Sequence, residues 1–426
     1  MPPAACRLNC VPSMIESAAA SEDRSTRPKP VYPRVIMAMM GRRDHYQPMK
    51  AAYEHGKLVR FITDFWLPPE SAVLRWARAL PVGNAAHLKA RFDDELKHAD
   101  VVALGGAMQH LGARLKLGRW WKYRVYCLGG RRFAQRCVRY LDVPHTAFMG
   151  YTSTALEALE HENRSAVLTV TYQIDPARTE EAVVLSEMKR HKSWVLHGHD
   201  PIPDEYFERV SAEWSTAKRI IVNSTWSRSA LIQQGVPAEK IRMCPLAYKP
   251  STTLGRRQFQ GRSRLRVLWL GTLSLRKGIV YAIEAARRLE QRRVDFTFAG
   301  PIDVRLPALP ANCKYIGRVP GPEIGTQYSS HDMFILPTLS DGFGGTQLEA
   351  MAHGLPVIAT YNCGEVVEHG RSGLIVPAGN SQALAEAILE IGGDPGKLEA
   401  MSAAALRRAA DFTPSRVWPT FQSCLA

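Results

Sequence analysis

Short apolar segments alternate with helical segments along nearly the whole chain from residue 34, and this alternation restricts the folds it can adopt. Strands that alternate with helices form parallel sheets whose two faces are both covered. The sequence therefore predicts α/β architecture with doubly wound parallel sheets. The predicted strands are 35–40, 57–64, 100–104, 146–149, 166–171 and 219–223, followed by 267–270, 296–299, 314–316, 333–336, 357–360 and 374–376. The predicted helical stretches between them include 93–98 and 154–162.

A polar interval, residues 249–266, separates the two series of strands; it is rich in basic residues and contains no acidic one. Such composition is typical of an interdomain linker. We predict two Rossmann-like domains that face a cleft, with ligands at the carboxyl ends of the strands. The predicted segments are a disordered lead over 1–33, an N-terminal domain over 34–248, the linker over 249–266, a second domain over 267–410, and a C-terminal helix over 411–426 that can cross back to the first domain.

The charge of the chain calls for an anionic partner, because 55 Lys and Arg against 40 Asp and Glu give a formal net charge of +15. Nucleic acid, an acidic membrane face and anionic substrates all fit this excess. No apolar run reaches the roughly 18 residues of a membrane helix, and the N-terminus lacks the apolar block of a signal peptide.

The eight cysteines are scattered, which favours reduced thiols and a cytoplasmic protein. Only Cys6 and Cys10 lie close together in sequence, so no metal site is expected.

The first chemical motif, GTLSLRKG at 271–278, follows a strand and precedes a helix. Gly271 permits a sharp exit from the strand, and Arg276, Lys277 and the first helical amides converge where an anion would bind. The motif lacks the endings of a P-loop and the spacing of a dinucleotide fingerprint. An ordinary turn with two solvated basic residues remains the alternative.

The second motif is the loop 337–345 and the helix 346–353 that follows it. Its glycines at the helix start allow close approach to the backbone, and free amides there favour negative charge. Asp341 and Glu349 lie eight residues apart, and we expect Glu349 in the first turn of the helix. Carboxylates accept hydrogen bonds from sugar hydroxyls. The alternative is that Asp341 caps a turn and Glu349 lies on the surface.

Three stretches of the second half resemble the donor domain of GT-B retaining glycosyltransferases of family 4 (glycosyl transferases group 1). They are GTLSLRKG at 271–278, SDGFGGTQLEAMAHGLPVIAT at 340–360 and CGEVVEHGRSGLIVP at 363–377. In the first half, YQIDP at 172–176 and the run from 221 to 247 resemble a subset of the same family. The likeness extends from about residue 145 to the C-terminus and is faint over 34–144, where acceptor recognition usually diverges. The resemblance implies that 34–248 is the acceptor-side domain and 267–410 the nucleotide-sugar donor domain.

The resemblance implies a nucleotide-diphosphate sugar, UDP- or GDP-linked, as donor substrate, with no other cofactor. It places Asp341 beside the donor sugar, Glu349 on the ribose hydroxyls and Lys277 on the diphosphate. The chain departs from the family at Thr272, where an Arg is common, and at Asp341, where Glu is usual. The donor-binding residues we expect are Gly271, Thr272, Arg276, Lys277, Gly342, Phe343, Gly344, Gly345, Thr346 and Glu349.

The expected catalytic residues are Asp341, Lys277 and Asp175. Lys277, Arg276 and the helix N-terminus would stabilise the leaving diphosphate without a metal. By analogy with the family, the departing phosphate takes the proton of the acceptor. Asp175 is a candidate for the cleft, and an equally good alternative is that it caps the helix that starts at Pro176.

Residues 114–139 contain nine basic residues, no acidic residue and five interleaved aromatic residues. One interpretation is a helix whose aromatic side chains face the core and whose cationic heads are solvated. Another is peripheral contact with an anionic membrane at the cytoplasmic face. Nucleic-acid binding is the third and least favoured interpretation.

These observations predict a retaining glycosyltransferase that acts on a glycan, lipid-linked or small-molecule acceptor. The alternatives are a GT-B sugar-nucleotide epimerase and a degenerate sugar-nucleotide-binding protein. Thr272 and Asp341 keep the binding-only alternative open.

Overall fold

The computed structural model describes residues 33–71, 91–105, 118–196, 200–250, 259 and 263–426. Thirteen strands in this part of the chain form two parallel sheets. The strands of the first sheet are β1 (Val35–Met39), β2 (Leu58–Thr63), β3 (Val101–Ala103), β4 (Ala147–Tyr151), β5 (Leu168–Tyr172), β6 (Arg219–Val222) and β7 (Ile241–Met243). Those of the second are β8 (Leu265–Leu270), β9 (Val294–Ala299), β10 (Cys313–Tyr315), β11 (Met333–Leu336), β12 (Val357–Ala359) and β13 (Gly373–Ile375).

The described helices connect these strands and cover both faces of each sheet. In the first half they are α1 (Gln47–Glu54), α2 (Arg119–Cys137), α3 (Leu156–Glu162), α4 (Arg178–Arg190), α5 (Asp204–Thr216) and α6 (Thr225–Gln233). In the second half they are α7 (Ile279–Arg288), α8 (Gly321–Ser330), α9 (Gly345–Ala352), α10 (Ser381–Gly392), α11 (Pro395–Ala410) and α12 (Pro414–Cys424).

Both sheets are wound in the same way. Their strand orders are β3-β2-β1-β4-β5-β6-β7 and β10-β9-β8-β11-β12-β13. In each sheet the chain begins at a central strand and adds strands toward one edge. It then returns to the centre and adds strands toward the other edge, which leaves a crevice beside the first strand. The predicted pair of doubly wound parallel sheets is confirmed.

The strand β1 shows why a continuous apolar run suits this architecture. Val35, Met37 and Met39 pack on one face of the sheet, whereas Ile36 and Ala38 pack on the other. Successive side chains of a strand point to opposite faces, so a strand buried on both faces must be apolar throughout.

Two details of the predicted secondary structure are wrong. The stretch 93–98, expected as a helix, forms only the short 3-10 turn Asp94–Leu96, because the Asp93 side chain accepts the Glu95 amide and the chain then enters β3. The edge strand β7 was not predicted. The expected disordered lead (apart from Pro33) and much of the expected linker lie outside the described residues.

The last helix, α12, packs on the first sheet. Val417, Trp418 and Phe421 join the apolar cluster that contains Met37, and the Trp418 ring stacks on His55 at 4.4 Å between centroids. The backbone therefore returns to the first domain after it completes the second.

Candidate functional site

Two loops at the carboxyl edge of the second sheet meet at a glycine. Gly278 precedes α7 and has a left-handed φ of 78°, and a Cβ atom there would lie 2.0 Å from the Pro337 carbonyl oxygen. Only glycine fits such a position. The Leu339 amide also donates to the Arg276 carbonyl at 2.9 Å, so the two predicted motifs lie side by side.

The Asp341 carboxylate pairs with both predicted cationic side chains, Lys277 and Arg276. It forms an ion pair with Lys277 Nζ and lies 3.2 Å from Arg276 Nη1. Although burial alone would raise it, the pKa of Asp341 is held below its usual value by Lys277 and Arg276. The structure therefore brings together three residues that the sequence singled out.

Glu180 of α4 joins this cluster from the first domain. Its Oε2 atom lies 3.3 Å from Arg276 Nη1 and accepts a hydrogen bond from Ser340 Oγ at 3.3 Å. Burial raises the pKa of Glu180 to about 7, with Asp175 and Asp341 adding to the shift and Arg276 opposing it. Burial alone would lower the pKa of Arg276, but Glu180 and Asp341 raise it overall. The sequence showed an acidic helix here but not which carboxylate reaches the cleft.

The glycine-rich loop lies directly against the first domain. A Cβ atom on Gly342 would lie 1.8 Å from the carbonyl oxygen of Ile174, which follows β5. Nearby, Glu365 accepts the Thr225 backbone amide at 3.0 Å and so caps α6 from the other domain. Small size at position 342 is what allows this approach.

Asp175 makes the contacts of a turn-capping residue. Its Oδ1 atom accepts the Ala177 amide at 2.9 Å and the Gln173 side-chain amide at 3.1 Å. Burial raises its pKa, opposed by that backbone hydrogen bond and by the charges of Arg43 and Arg276. The carboxylate thus caps the turn that leads into α4, which begins at Arg178 and not at the expected Pro176. The predicted catalytic role of Asp175 remains a prediction.

Glu349 lies apart from the Lys277–Asp341 pair. It is the fifth residue of α9 and so lies in the second turn, which corrects the expected first-turn position. Tyr328 Oη donates to its Oε2 atom at 2.9 Å, and burial raises the pKa of Glu349. Burial, with a contribution from Glu349, raises the pKa of Tyr248 to about 12, which identifies a neighbour that sequence reasoning missed.

The start of α9 is only partly available to an anion. The Gly344 amide donates to the Cys363 carbonyl at 2.8 Å and the Gly345 amide to Phe343 at 3.0 Å, so the expectation of free amides is wrong for these two. Among the described residues, the amides of Gly342, Phe343 and Thr346 have no acceptor. The Phe343 ring packs in the core, 6.3 Å from Phe412, which leaves its backbone for a ligand.

Gly271 and Thr272 are half-buried where β8 ends, and Gly271 has a φ of 150°. Across the described ranges, no three His, Cys, Asp or Glu side chains are grouped to hold a metal ion. The same part of the chain contains no helix both long and apolar enough to cross a bilayer. The Cys6 and Cys10 pair lies outside the described residues.

Comparison with known proteins matches part of this site to a family model. Residues 264–394 match the family model of Glycosyl transferases group 1. The chain is 31% identical over 188 residues to the amylovoran biosynthesis glycosyltransferase AmsK of Erwinia amylovora, covering 40% of this chain and 46% of that protein. It is 28% identical over 219 residues to a putative colanic acid biosynthesis glycosyltransferase, WcaL, of Salmonella typhimurium, covering 46% and 54%. The chain thus spans about half the length of the curated relatives it matches.

Solved structures resemble nearly the whole chain. The Anabaena Alr3699/HepE complex with UDP and glucose superposes with a TM-score of 0.58 at 15% identity, covering 92% of this chain and 99% of that one. Sucrose-phosphate synthase from Thermosynechococcus elongatus gives 0.58 at 15% identity, covering 90% and 96%. The chain has the GT-B fold. In this GT-B chain the Lys277–Asp341 cluster lies at the carboxyl edge of the second sheet and contacts the first domain through Glu180.

Proposed function

We propose that this GT-B protein is a glycosyltransferase that takes a sugar from a nucleotide-diphosphate sugar. The observation that carries the proposal is the convergence of Lys277 and Arg276 on Asp341 at the carboxyl edge of the second sheet. All three residues lie inside the stretch that matches the glycosyl transferases group 1 model. Two adjacent cations and a carboxylate suit a diphosphate and a sugar, respectively.

Charge development explains how these residues would act. Cleavage of the sugar–phosphate bond builds negative charge on the diphosphate, and Lys277 and Arg276 stabilise it electrostatically. The unused amides at the start of α9 add to this stabilisation. In this structure Asp341 and Glu180 form ion pairs with Lys277 and Arg276. A bound diphosphate would therefore replace these carboxylates as the partner of the two cationic side chains. Asp341 is then free to accept a sugar hydroxyl.

We further propose that transfer retains the anomeric configuration and needs no metal. The bond from the sugar C1 to the diphosphate oxygen breaks, the acceptor oxygen bonds to C1 on the same face, and its proton passes to the departing phosphate. Support for retention is the resemblance of the 271–278 and 340–360 motifs to retaining enzymes of family 4. Support for metal independence is the positive charge that Lys277 and Arg276 already supply.

The donor and pathway are proposed from the relatives. Alr3699/HepE was solved with UDP and glucose, and AmsK and WcaL are named for amylovoran and colanic acid biosynthesis. We propose a UDP- or GDP-linked donor and a role in polysaccharide biosynthesis, with a growing glycan as acceptor. The matched relatives give the epimerase alternative no support.

We also propose that the protein is cytoplasmic and contacts an anionic membrane through α2. The inner side of this helix packs on the core through Phe133, whereas exposed Trp121 departs from the interpretation in which the aromatic side chains face the core. Its outer side exposes 56% of Trp121 and 46% of Leu128 beside Lys122, Arg132 and other basic residues. An exposed tryptophan amid cations suits the headgroup region of an anionic bilayer. Residues 114–117 lie outside the described residues.

Nucleotide release tests the enzymatic proposal. UDP- and GDP-sugars are supplied with and without glycan acceptors, and released nucleotide is compared with new glycosidic product. We expect turnover that falls about 100-fold in Lys277→Ala, the typical cost of losing one electrostatic stabiliser. The matched control Lys314→Ala, exposed on β10, should keep wild-type rates.

Two results would count against this function. Equal rates in Lys277→Ala and wild type would remove Lys277 from the site. Nucleotide binding without turnover, sensitive to Glu349→Ala, would favour the degenerate binding protein, which the departures at Thr272 and Asp341 keep open.

A further inference from the structure

The loop after β1 holds an unusual backbone conformation at the carboxyl edge of the first sheet. Asp44, His45 and Tyr46 have φ values of 49°, 49° and 61°. A non-glycine residue in this left-handed region costs roughly 1–2 kcal/mol, so three in succession persist only where packing holds them. Such strain concentrates at sites that bind ligands.

Buried contacts fix this loop. The Tyr46 ring is fully buried and meets Phe61 and Trp66 edge-on at 5.5 and 5.8 Å between centroids. Tyr151 Oη donates to Asp44 at 3.4 Å, and burial raises the pKa of Asp44 to about 6. The loop therefore presents Arg43 from a closely packed support.

Arg43 is a half-buried guanidinium without a carboxylate partner. Its Nη2 atom donates to Tyr126 Oη at 2.8 Å, and no carboxylate of a described residue forms an ion pair with it. Burial alone would lower its pKa, but Tyr126, Tyr206 and the charge of Asp175 raise it overall. A guanidinium has five N–H donors, so most of those of Arg43 are left for a ligand.

Tyr126, the direct partner of this cation, belongs to a group of tyrosines. Tyr123 and Tyr126 come from α2 and Tyr206 from α5, with the Tyr123 and Tyr206 rings edge-on at 4.9 Å. Burial raises the pKa of Tyr123 to about 12, so its hydroxyl stays protonated and able to donate. We call this group, with Arg43 and Asp175, the tyrosine pocket.

The segment that carries Asp175 adjoins the donor loop, because a Cβ atom on Gly342 would meet the carbonyl oxygen of Ile174, the residue before Asp175. The charges of Arg43 and Arg276 both oppose the rise in the pKa of Asp175. The two arginines differ in their partners: Arg276 contacts two carboxylates, whereas Arg43 contacts a neutral phenol. Asp44 and Asp175 act on Arg43 electrostatically, but neither forms an ion pair with it, so an anionic ligand would offset part of its desolvation cost.

We infer that Arg43, with the hydroxyls of the tyrosine pocket, binds an anionic group of the acceptor, a phosphate or a carboxylate. The inference rests on the proposed function, because it assigns the first-domain side of the cleft to the acceptor. A neutral sugar would be held by hydroxyls and amides alone. The bidentate fork of Arg43 selects a planar carboxylate or a phosphate over such a sugar.

Binding of small anions to the nucleotide-saturated protein tests this site. The probes are inorganic phosphate, followed by ³¹P NMR, and glucuronate, followed by saturation-transfer NMR, with glucose as the neutral reference. We expect phosphate, glucuronate or both to bind wild type, and Arg43→Gln to lose at least about 10-fold in affinity, typical of a lost charged hydrogen bond. The matched control is Arg42→Gln, which removes the same charge from the exposed neighbour.

Each outcome bears on the inference. Phosphate binding alone, or glucuronate binding alone, supports it and identifies the acceptor's group. Equal losses in Arg42→Gln and Arg43→Gln, or anion binding abolished by saturating UDP and GDP, would overturn it. If Arg43→Gln lowers the melting temperature sharply, Arg43→Lys replaces it and should keep part of the phosphate affinity.

The two proposals fail differently. Anion binding is also measured without nucleotide, so a failed enzymatic proposal appears as absent nucleotide binding and release. A failed acceptor inference appears as normal nucleotide binding with no anion bound to the tyrosine pocket.

Discussion

We expect nucleotide binding to depend on pH through Glu180. Its carboxylate faces Arg276, Asp341, Asp175 and Lys277, and its pKa is raised to about 7. Above pH 7 it is charged and competes with a diphosphate for Arg276; below pH 7 it is neutral and the competition ends. We expect wild type to gain UDP affinity severalfold relative to Glu180→Gln as pH falls from 8 to 6.

Isothermal titration of both proteins across this range measures the ratio of the two dissociation constants, which cancels the titration of UDP itself. Glu160→Gln, on the exposed face of α3, is the matched control and should follow wild type. A ratio that is constant with pH would show that Glu180 does not compete for Arg276.

Glu349 offers a second test at the residue scale. By resemblance it holds the ribose, and Tyr328 donates to it at 2.9 Å. We expect Glu349→Ala to weaken UDP or GDP binding about 10-fold, because a charged hydrogen bond is lost. Tyr328→Phe keeps the carboxylate and should cost less. Glu323→Ala on the exposed side of α8 is the control, and wild-type affinity in Glu349→Ala would exclude the ribose role.

Sequence reasoning found Lys277, Arg276 and Asp341 because each lies in a short motif between a strand and a helix. It could not find Glu180 or Arg43. Glu180 is 96 residues from Arg276, and only the packing of one domain on the other brings them together. Arg43 lies in a region where the family likeness is faint, and its significance depends on the absence of a described carboxylate that forms an ion pair with it, which a sequence does not reveal.

Substitution of Gly278 tests the close contact between the two donor loops. An added Cβ would meet the Pro337 carbonyl oxygen at 2.0 Å, in a left-handed backbone. We expect Gly278→Ala to lower the free energy of unfolding by about 3 kcal/mol. Gly345→Ala is the control, because nothing lies within 4 Å of its added Cβ. Equal denaturation midpoints for the two variants would contradict the close approach.

The outer side of α2 gives another prediction. With Trp121 56% exposed, we expect Trp121→Ala to reduce binding to phosphatidylglycerol vesicles about 10-fold in sedimentation assays. Raising the salt should weaken wild-type binding, because exposed charges are screened. The control is Tyr361→Ala, which removes a 71% exposed ring from the second domain. Equal binding to phosphatidylcholine vesicles would refute the anionic preference.

Predicted strands lie close to the observed ones because a strand buried on both faces leaves a continuous apolar run. β7 escaped prediction because it is a three-residue edge strand, Ile241–Met243, with only its first residue buried. The start of α9 was read as a set of free amides, yet the Cys363 carbonyl, from the segment after β12, takes the Gly344 amide. Contacts between separate segments decide both cases.

The return of α12 to the first sheet matters for the whole molecule. Trp418 is buried in the apolar cluster of the first domain although it lies beyond the second domain in sequence. We expect Trp418→Ala to lower the free energy of unfolding by about 3–5 kcal/mol, the usual cost of removing a buried aromatic side chain. Urea denaturation measures the loss, and exposed Arg416→Ala is the control. A loss below about 1 kcal/mol would show that α12 does not anchor the chain to the first domain.

Because of α12, the backbone passes between the two sheets twice, once after Tyr248 and once after Phe412. The Tyr248 amide donates to the Phe412 carbonyl at 2.8 Å, so the two passages run side by side at one point. A single backbone connection would allow one domain to rotate in any direction relative to the other. Two connections joined at this point restrict such twisting, so we expect relative motion of the two domains to be a hinge motion about the Tyr248–Phe412 contact.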